Sequence, residues 1–133
     1  MDHFNAKAYY LIDEALTWAE ASDRCAEGNA GYLAEAKDDK EFKFLRGMYD
    51  KYRTQGGDAN GAWIDGTYDN ITKQWMCDSH GFGSDCLWDT PWSHGEPNRL
   101  HIERCLLVWF TRNDGVANYM CSERMPAICA TYR

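Results

Sequence analysis

Apolar and polar positions change period several times along this chain, and the changes mark its elements. Lys7-Ala8-Tyr9-Tyr10-Leu11-Ile12 is dense in aromatic and aliphatic residues and predicts a first strand. Thr17-Trp18-Ala19-Glu20 has the form of a capping box, so a helix is expected to start there. It should run to about Glu27, with Gly28-Asn29-Ala30-Gly31 as its stop signal. Trp18, Ala21 and Cys25 fall on one face at helical spacing. Tyr32-Leu33-Ala34 reads as a short extended piece. Asp38 and Glu41 repeat the capping-box pattern before a second helix, whose apolar stripe is Phe42, Leu45, Met48, Tyr49 and Tyr52. Gln55-Gly56-Gly57-Asp58-Ala59-Asn60-Gly61 breaks it.

The second half is less periodic. Ala62-Trp63-Ile64 predicts a strand that turns at Asp65-Gly66. From Thr67 to Asn98 the chain is crowded with Gly, Asp, Ser, Trp and Cys and reads as a long irregular loop, which in a compact domain is usually functional. Cys105-Leu106-Leu107-Val108-Trp109-Phe110 is a near-continuous apolar strand. Arg112-Asn113-Asp114-Gly115 carries a hairpin-type Asp-Gly turn. A last strand covers about Ala127 to Tyr132. There is no internal repeat, linker or low-complexity segment.

Composition narrows the picture. A chain of 133 residues suits one domain with one core, taken as 1–133. The net charge of −7 argues against nucleic acid or an anionic membrane as the main partner. No apolar run is long enough to span a bilayer. Six cysteines point to an oxidising compartment, and none forms a C-x-x-C pair of the kind that binds zinc. Sequence alone leaves their pairing open. Cys77 and Cys86 enclose a short polar loop, which favours a local staple. Cys105 and Cys121 enclose a turn, leaving Cys25 with Cys129. Asn70-Ile71-Thr72 is an N-glycosylation sequon and fits secretion.

Candidate chemistry concentrates in Trp92-Ser93-His94-Gly95-Glu96-Pro97-Asn98 and in Glu103. Glu96, Asn98 and Glu103 each offer a hard side-chain oxygen, the donor that Ca²⁺ prefers. Asn98 also keeps a donor NH₂, and a carboxylate accepts hydrogen bonds. A metal flanked by a donor and an acceptor can grip two neighbouring hydroxyls, so the stretch reads as a sugar site. Glu96 and Glu103 could also be imagined as glycosidase carboxylates, but metal ligation better explains their Asn and Pro neighbours. The chain is not expected to be an enzyme. His80, His94 and His101 cluster near the loop as solvated histidines, with His101 the one placed to touch a sugar. Trp88, Trp92 and Trp109 are expected to pack the core or the loop.

Together these residues resemble the C-type lectin-like domain family over nearly the whole chain. Trp63-Ile64-Asp65-Gly66 stands where the family carries its Trp-Ile-Gly motif. Gly95-Glu96-Pro97-Asn98 after Trp92 resembles its long-loop signature, and Met125-Pro126-Ala127-Ile128-Cys129 its closing segment. The resemblance implies an α+β fold with two helices flanking small antiparallel sheets, a long calcium- and sugar-binding loop, and disulfides. It implies Cys25–Cys129 and Cys105–Cys121 bridges in the short form of the domain; Cys77 and Cys86 are additions. It also implies a cis Pro97 and Ca²⁺ as the cofactor. Glu-Pro-Asn goes in that family with equatorial 3,4-hydroxyls, as in mannose, glucose, GlcNAc or fucose; galactose binders carry Gln-Pro-Asp.

One departure stands out. The family's Trp-Asn-Asp triplet is replaced by Val116-Ala117-Asn118 when counted back from Cys121 without a gap. With a one-residue gap, Asn118 matches the Asn and Tyr119 the Asp. Either way two carboxylates remain where the family has three, so calcium should bind weakly, or with help from water, Asp114 or a backbone carbonyl. The expected metal set is Glu96, Asn98, Glu103 and Asn118, with His101 added at the sugar. The expected function is a secreted, calcium-dependent lectin for glycans, including those of microbial surfaces, in an innate-immune setting, with self-association supplying avidity. The alternative is a lectin-like domain that binds a protein without calcium or sugar.

Overall fold

The computed structural model describes residues 2–4, 7–27, 31–77, 84–85 and 92–132. In chain order the elements are β1 (Asp2–Phe4), β2 (Lys7–Leu16), α1 (Trp18–Ala26), β3 (Tyr32–Leu33), α2 (Asp39–Thr54), β4 (Gly61–Asp69), β5 (Gln74–Cys77), β6 (Ser84–Asp85), β7 (Cys105–Trp109), β8 (Ala117–Tyr119) and β9 (Met125–Tyr132). The expected α+β architecture is present. Its strands join into one mixed sheet rather than several small antiparallel ones. The joint is the parallel pairing of Trp63 with Ala127, which links the β1-β2-β9-β3 half to the β4-β5-β6 and β7-β8 half.

Both helices start where their caps require. Thr17 and Glu20 form the complete reciprocal box, each side chain satisfying the other's backbone N–H. At α2 only half of the expected box forms. Asp38 accepts from the Glu41 N–H, but the Glu41 carboxylate turns inward to the Tyr9 hydroxyl (2.9 Å) and Lys7 Nζ (3.4 Å). Burial pulls it there, because Glu41 lies on the helix face that also buries Phe42, Leu45, Met48 and Tyr49. Burial, reinforced by the Glu41 charge, drives the Tyr9 hydroxyl far above its ordinary pKa, so Tyr9 stays a donor.

Two further expectations change. The chain does not turn at Asp65-Gly66. β4 runs straight through, with a register shift between Trp63 and Thr67 against β7. Gly66 sits at φ 140, and a Cβ there would fall 2.8 Å from Leu106 Cγ, so a glycine bulge replaces the turn. The segment from Thr67 is also more regular than expected: Asp69↔Gln74 closes a β4–β5 hairpin, and β6 pairs β5.

The core has two lobes. One packs α2 against β4, β7 and β9 around Tyr9, Phe42, Tyr49 and Ile64; the other packs α1 around Trp63, Leu107 and Cys129. Trp63 is fully buried and donates its indole N–H to Leu16 O (2.8 Å). Cys25–Cys129 ties α1 to β9, and Cys105–Cys121 ties the start of β7 to the chain just beyond β8. Cys77 is also disulfide-bonded. The expected partner Cys86, the α1 stop residues 28–30, His80 and Trp88 lie outside the described residues.

Candidate functional site

Residues 92–104 are held against β8 and the loop before it by backbone and side-chain bonds. Trp92 forms a parallel bridge to Val116, and Ser93 N–H donates to Val116 O (2.9 Å). The Asp114 carboxylate accepts from Ser93 Oγ (2.6 Å) and His94 N–H (3.1 Å). These bonds, the hydroxyl's first, hold the Asp114 carboxyl below its ordinary range. Glu96 N–H then closes a turn onto Ser93 O, and the Glu96–Pro97 peptide is cis. After Asn98 a single helical turn brings Ile102 and Glu103 N–H back to Arg99 O. Arg104 caps that turn through Leu100 O and His101 O, while its own carbonyl accepts from Tyr68 on β4.

Asn118 is the centre of this frame. Its Oδ1 accepts from Asn98 N–H (3.2 Å), and its Nδ2 donates to Asn98 O and to Glu103 O (2.6 Å). One buried amide thus pins both the tip and the descending arm of the loop. Asp114 and Asn118 therefore both spend hydrogen bonds on bracing.

Between the loop and β8 lies a cavity of about 200 Å³, walled by Glu96, Asn98, Arg99, Glu103, Trp109, Arg112, Asn118 and Tyr119. Four of the five residues expected from sequence meet there: Glu96, Asn98, Glu103 and Asn118. His101 is exposed and does not line it. Glu103 is buried to 6% exposure. Burial raises the Glu96 pKa; the Asn118 peptide N–H and the Arg112 charge oppose this, and the Glu103 charge adds to it. Among the described residues no three His, Cys, Asp or Glu side chains converge, so the cavity offers two carboxylates and supplements them with amide oxygens.

Sequence reasoning missed Arg99, Arg112 and the Trp109–Tyr119 pair. Arg99 Nη1 lies 3.9 Å from Glu103 Oε2. The Trp109 and Tyr119 rings pack with centroids 4.7 Å apart and carry the wall on into a neighbouring cavity of about 240 Å³ that reaches Asn60 and Glu123. Trp109 thus packs as expected but also faces the site. The signal for Arg99 was its position directly after Asn98; nothing local marked Arg112. A larger cavity, about 420 Å³, lies between β2 and α2 against Tyr9, Met48 and Tyr52. Its charged groups are one Asp and one Lys, so it lacks the hard-oxygen set that a sugar-bridging metal needs.

Known proteins share this fold and sequence pattern. The chain is 28% identical over 130 residues to rat (Rattus norvegicus) lithostathine, covering 95% of this chain and 73% of that protein. The crystal structure of human lithostathine superposes with a TM-score of 0.82 at 20% identity, covering 99% of this chain and 88% of that one. A calcium-independent type II antifreeze protein superposes with a TM-score of 0.76 at 20% identity, covering 98% and 90%. The family model of the lectin C-type domain matches residues 14–131, and the chain therefore belongs to the C-type lectin domain family.

Proposed function

We propose that this domain binds carbohydrate through a Ca²⁺ held by Glu96, Asn98 and Glu103, with Asn118 as a weaker fourth ligand. The observation that carries the reading is the convergence of two carboxylates and two amides on one small cavity beside β8. The donor set suits a hard cation in kind: every protein ligand is an oxygen. It falls short in number, since such an ion takes six to eight oxygens, and Asn118 Oδ1 already accepts one hydrogen bond. Water, a backbone carbonyl and the sugar's own hydroxyls would complete the shell, so affinity is expected to be modest.

The bound ion would supply direct coordination of two vicinal hydroxyls. Glu96 and Glu103 would accept hydrogen bonds from those hydroxyls, and Asn98 Nδ2 would donate one. That order of acceptor and donor favours equatorial 3,4-diols of the mannose and GlcNAc type. His101 is kept as a peripheral sugar contact only. The disulfides support an extracellular setting, and self-association would raise the avidity of one shallow site. Microbial glycans are the natural targets to screen.

A second reading is a protein-binding domain that uses neither calcium nor sugar. The Asn118 brace favours it, since it fixes the loop with no ion. Retention on mannose and GlcNAc columns, with calcium and with a chelator, separates the two. Calcium-dependent retention supports the first; none on either column favours the second. Competition then reads specificity: mannose and GlcNAc should compete better than galactose, and Glu96→Gln with Asn98→Asp should reverse that order. Equal competition by GalNAc and GlcNAc would transfer specificity to the acetamido group.

A further inference from the structure

We infer that the preferred ligands of this cavity are acidic glycans, carrying a carboxylate or sulfate beside the diol, recognised by Arg99 and Arg112. The inference rests on the calcium-and-diol reading and extends it to a ligand class. Its basis is the charge of the wall. Two carboxylates, Glu96 and Glu103, face two guanidiniums, Arg99 and Arg112, so the cavity is formally balanced before any ion enters. A divalent cation held by Glu96 and Glu103 would neutralise both carboxylates and leave the two guanidiniums as the net charge of the wall.

Among the described residues, neither arginine has a structural task that holds its guanidinium elsewhere. The Arg99 side chain is 60% exposed, and its contact with Glu103, at 3.9 Å, is long for an ion pair. Its backbone sits at φ 50, a conformation that residues other than glycine seldom adopt. Arg112 is exposed, and its guanidinium makes no hydrogen bond or ion pair among the described residues. Its charge is nonetheless felt by both Glu96 and Asp114. The Arg112 carbonyl, not its guanidinium, accepts from Arg46 Nη1 (3.4 Å), which holds the backbone and leaves the side chain available. A guanidinium presents a planar fork of donors that matches carboxylate and sulfate oxygens in a bidentate way. A neutral sugar can take single hydrogen bonds from these groups but offers no anionic pair for the fork.

The test uses matched sugars on the full chain with saturating calcium: GlcNAc against GlcNAc-6-sulfate, and glucose against glucuronic acid. Each acidic member should bind about threefold tighter or more, the range of one or two exposed charge contacts. The advantage should shrink as salt shortens the screening length. The double variant Arg99→Asn, Arg112→Gln should bring the acidic-to-neutral affinity ratio in each pair down to about one; Asn is chosen because it tolerates the left-handed backbone. Calcium titration of the same variant without sugar gives an independent readout. Affinity should rise, because two competing positive charges have left the wall. Equal binding of acidic and neutral partners, or an acidic preference that survives the double variant, overturns the inference while sparing the diol reading. Calcium-dependent binding of neither sugar overturns both.

Discussion

Asn118 does with one amide what a metal would otherwise do for the loop: it joins Asn98 to Glu103. Replacing it with Asp supplies a third carboxylate but removes the donor that two backbone carbonyls share. Without calcium, Asn118→Asp should lose about 2 kcal/mol or more, because buried acceptors go unpaired against a new negative charge. With calcium well above its dissociation constant, linkage returns a similar amount. Thermal melts in calcium and in chelator check this; a variant as stable as wild type in chelator would show that the brace is idle. Glu103→Gln should weaken calcium more than Asn98→Ala does, since charge governs affinity for a hard cation; isothermal calorimetry compares them. Asp114 adds a pH signature. Its folded pKa is depressed below the ordinary value of 3.8, so its grip on Ser93 and His94 is complete above that value. The grip is lost as pH falls through the folded pKa. Protection of the His94 amide, relative to its intrinsic exchange rate at each pH, should therefore persist at mildly acidic pH and fall only in stronger acid, while Asp114→Ala removes it at every pH. Glu96, Asn98 and Glu103 were legible because they lie within one short stretch. Asn118 was legible only as a change in a family triplet; its bracing role depends on where β8 passes. Arg112 was invisible because strand pairing, not spacing, brings it to the wall.

At the scale of elements, local chemistry read true where a helix supplied its own partners. The Thr17–Glu20 box formed in full, whereas Glu41 left its box for a buried hydroxyl contributed by β2. No local pattern contains that choice, because Tyr9 is distant in sequence. The same limit explains Gly66. Asp-Gly is a turn signal, yet here the glycine lets Leu106 of β7 press close to β4. Gly66→Ala should cost about 2–4 kcal/mol from strained φ and overpacking together. Urea denaturation is the measurement, and a loss below about 0.5 kcal/mol would show that the bulge relaxes freely.

Across the whole molecule, the disulfides divide stability from recognition. Cys25–Cys129 spans 104 residues and Cys105–Cys121 spans 16, so loop closure assigns them roughly 5 and 3 kcal/mol. Removing the long bridge as a pair of alanines should lower the urea midpoint more. Removing the short one should weaken calcium binding more, because it anchors β8 two residues from Glu103. Equal effects on both measurements would contradict that division. Overall charge and cysteine content were legible in composition, but the joining of the sheet halves through Trp63 and Ala127 was not. β2 pairs β1 along one edge and β9 along the other, with Lys7 opposite Tyr132. β1, where the described residues start, and β9, where they end, flank β2 on its two edges, and β4 and β7 separate them from the cavity at β8. A stalk, a fusion partner or a biosensor surface can be grafted at either end while the cavity still faces outward, so a two-ended tether can hang this domain in arrays without blinding it.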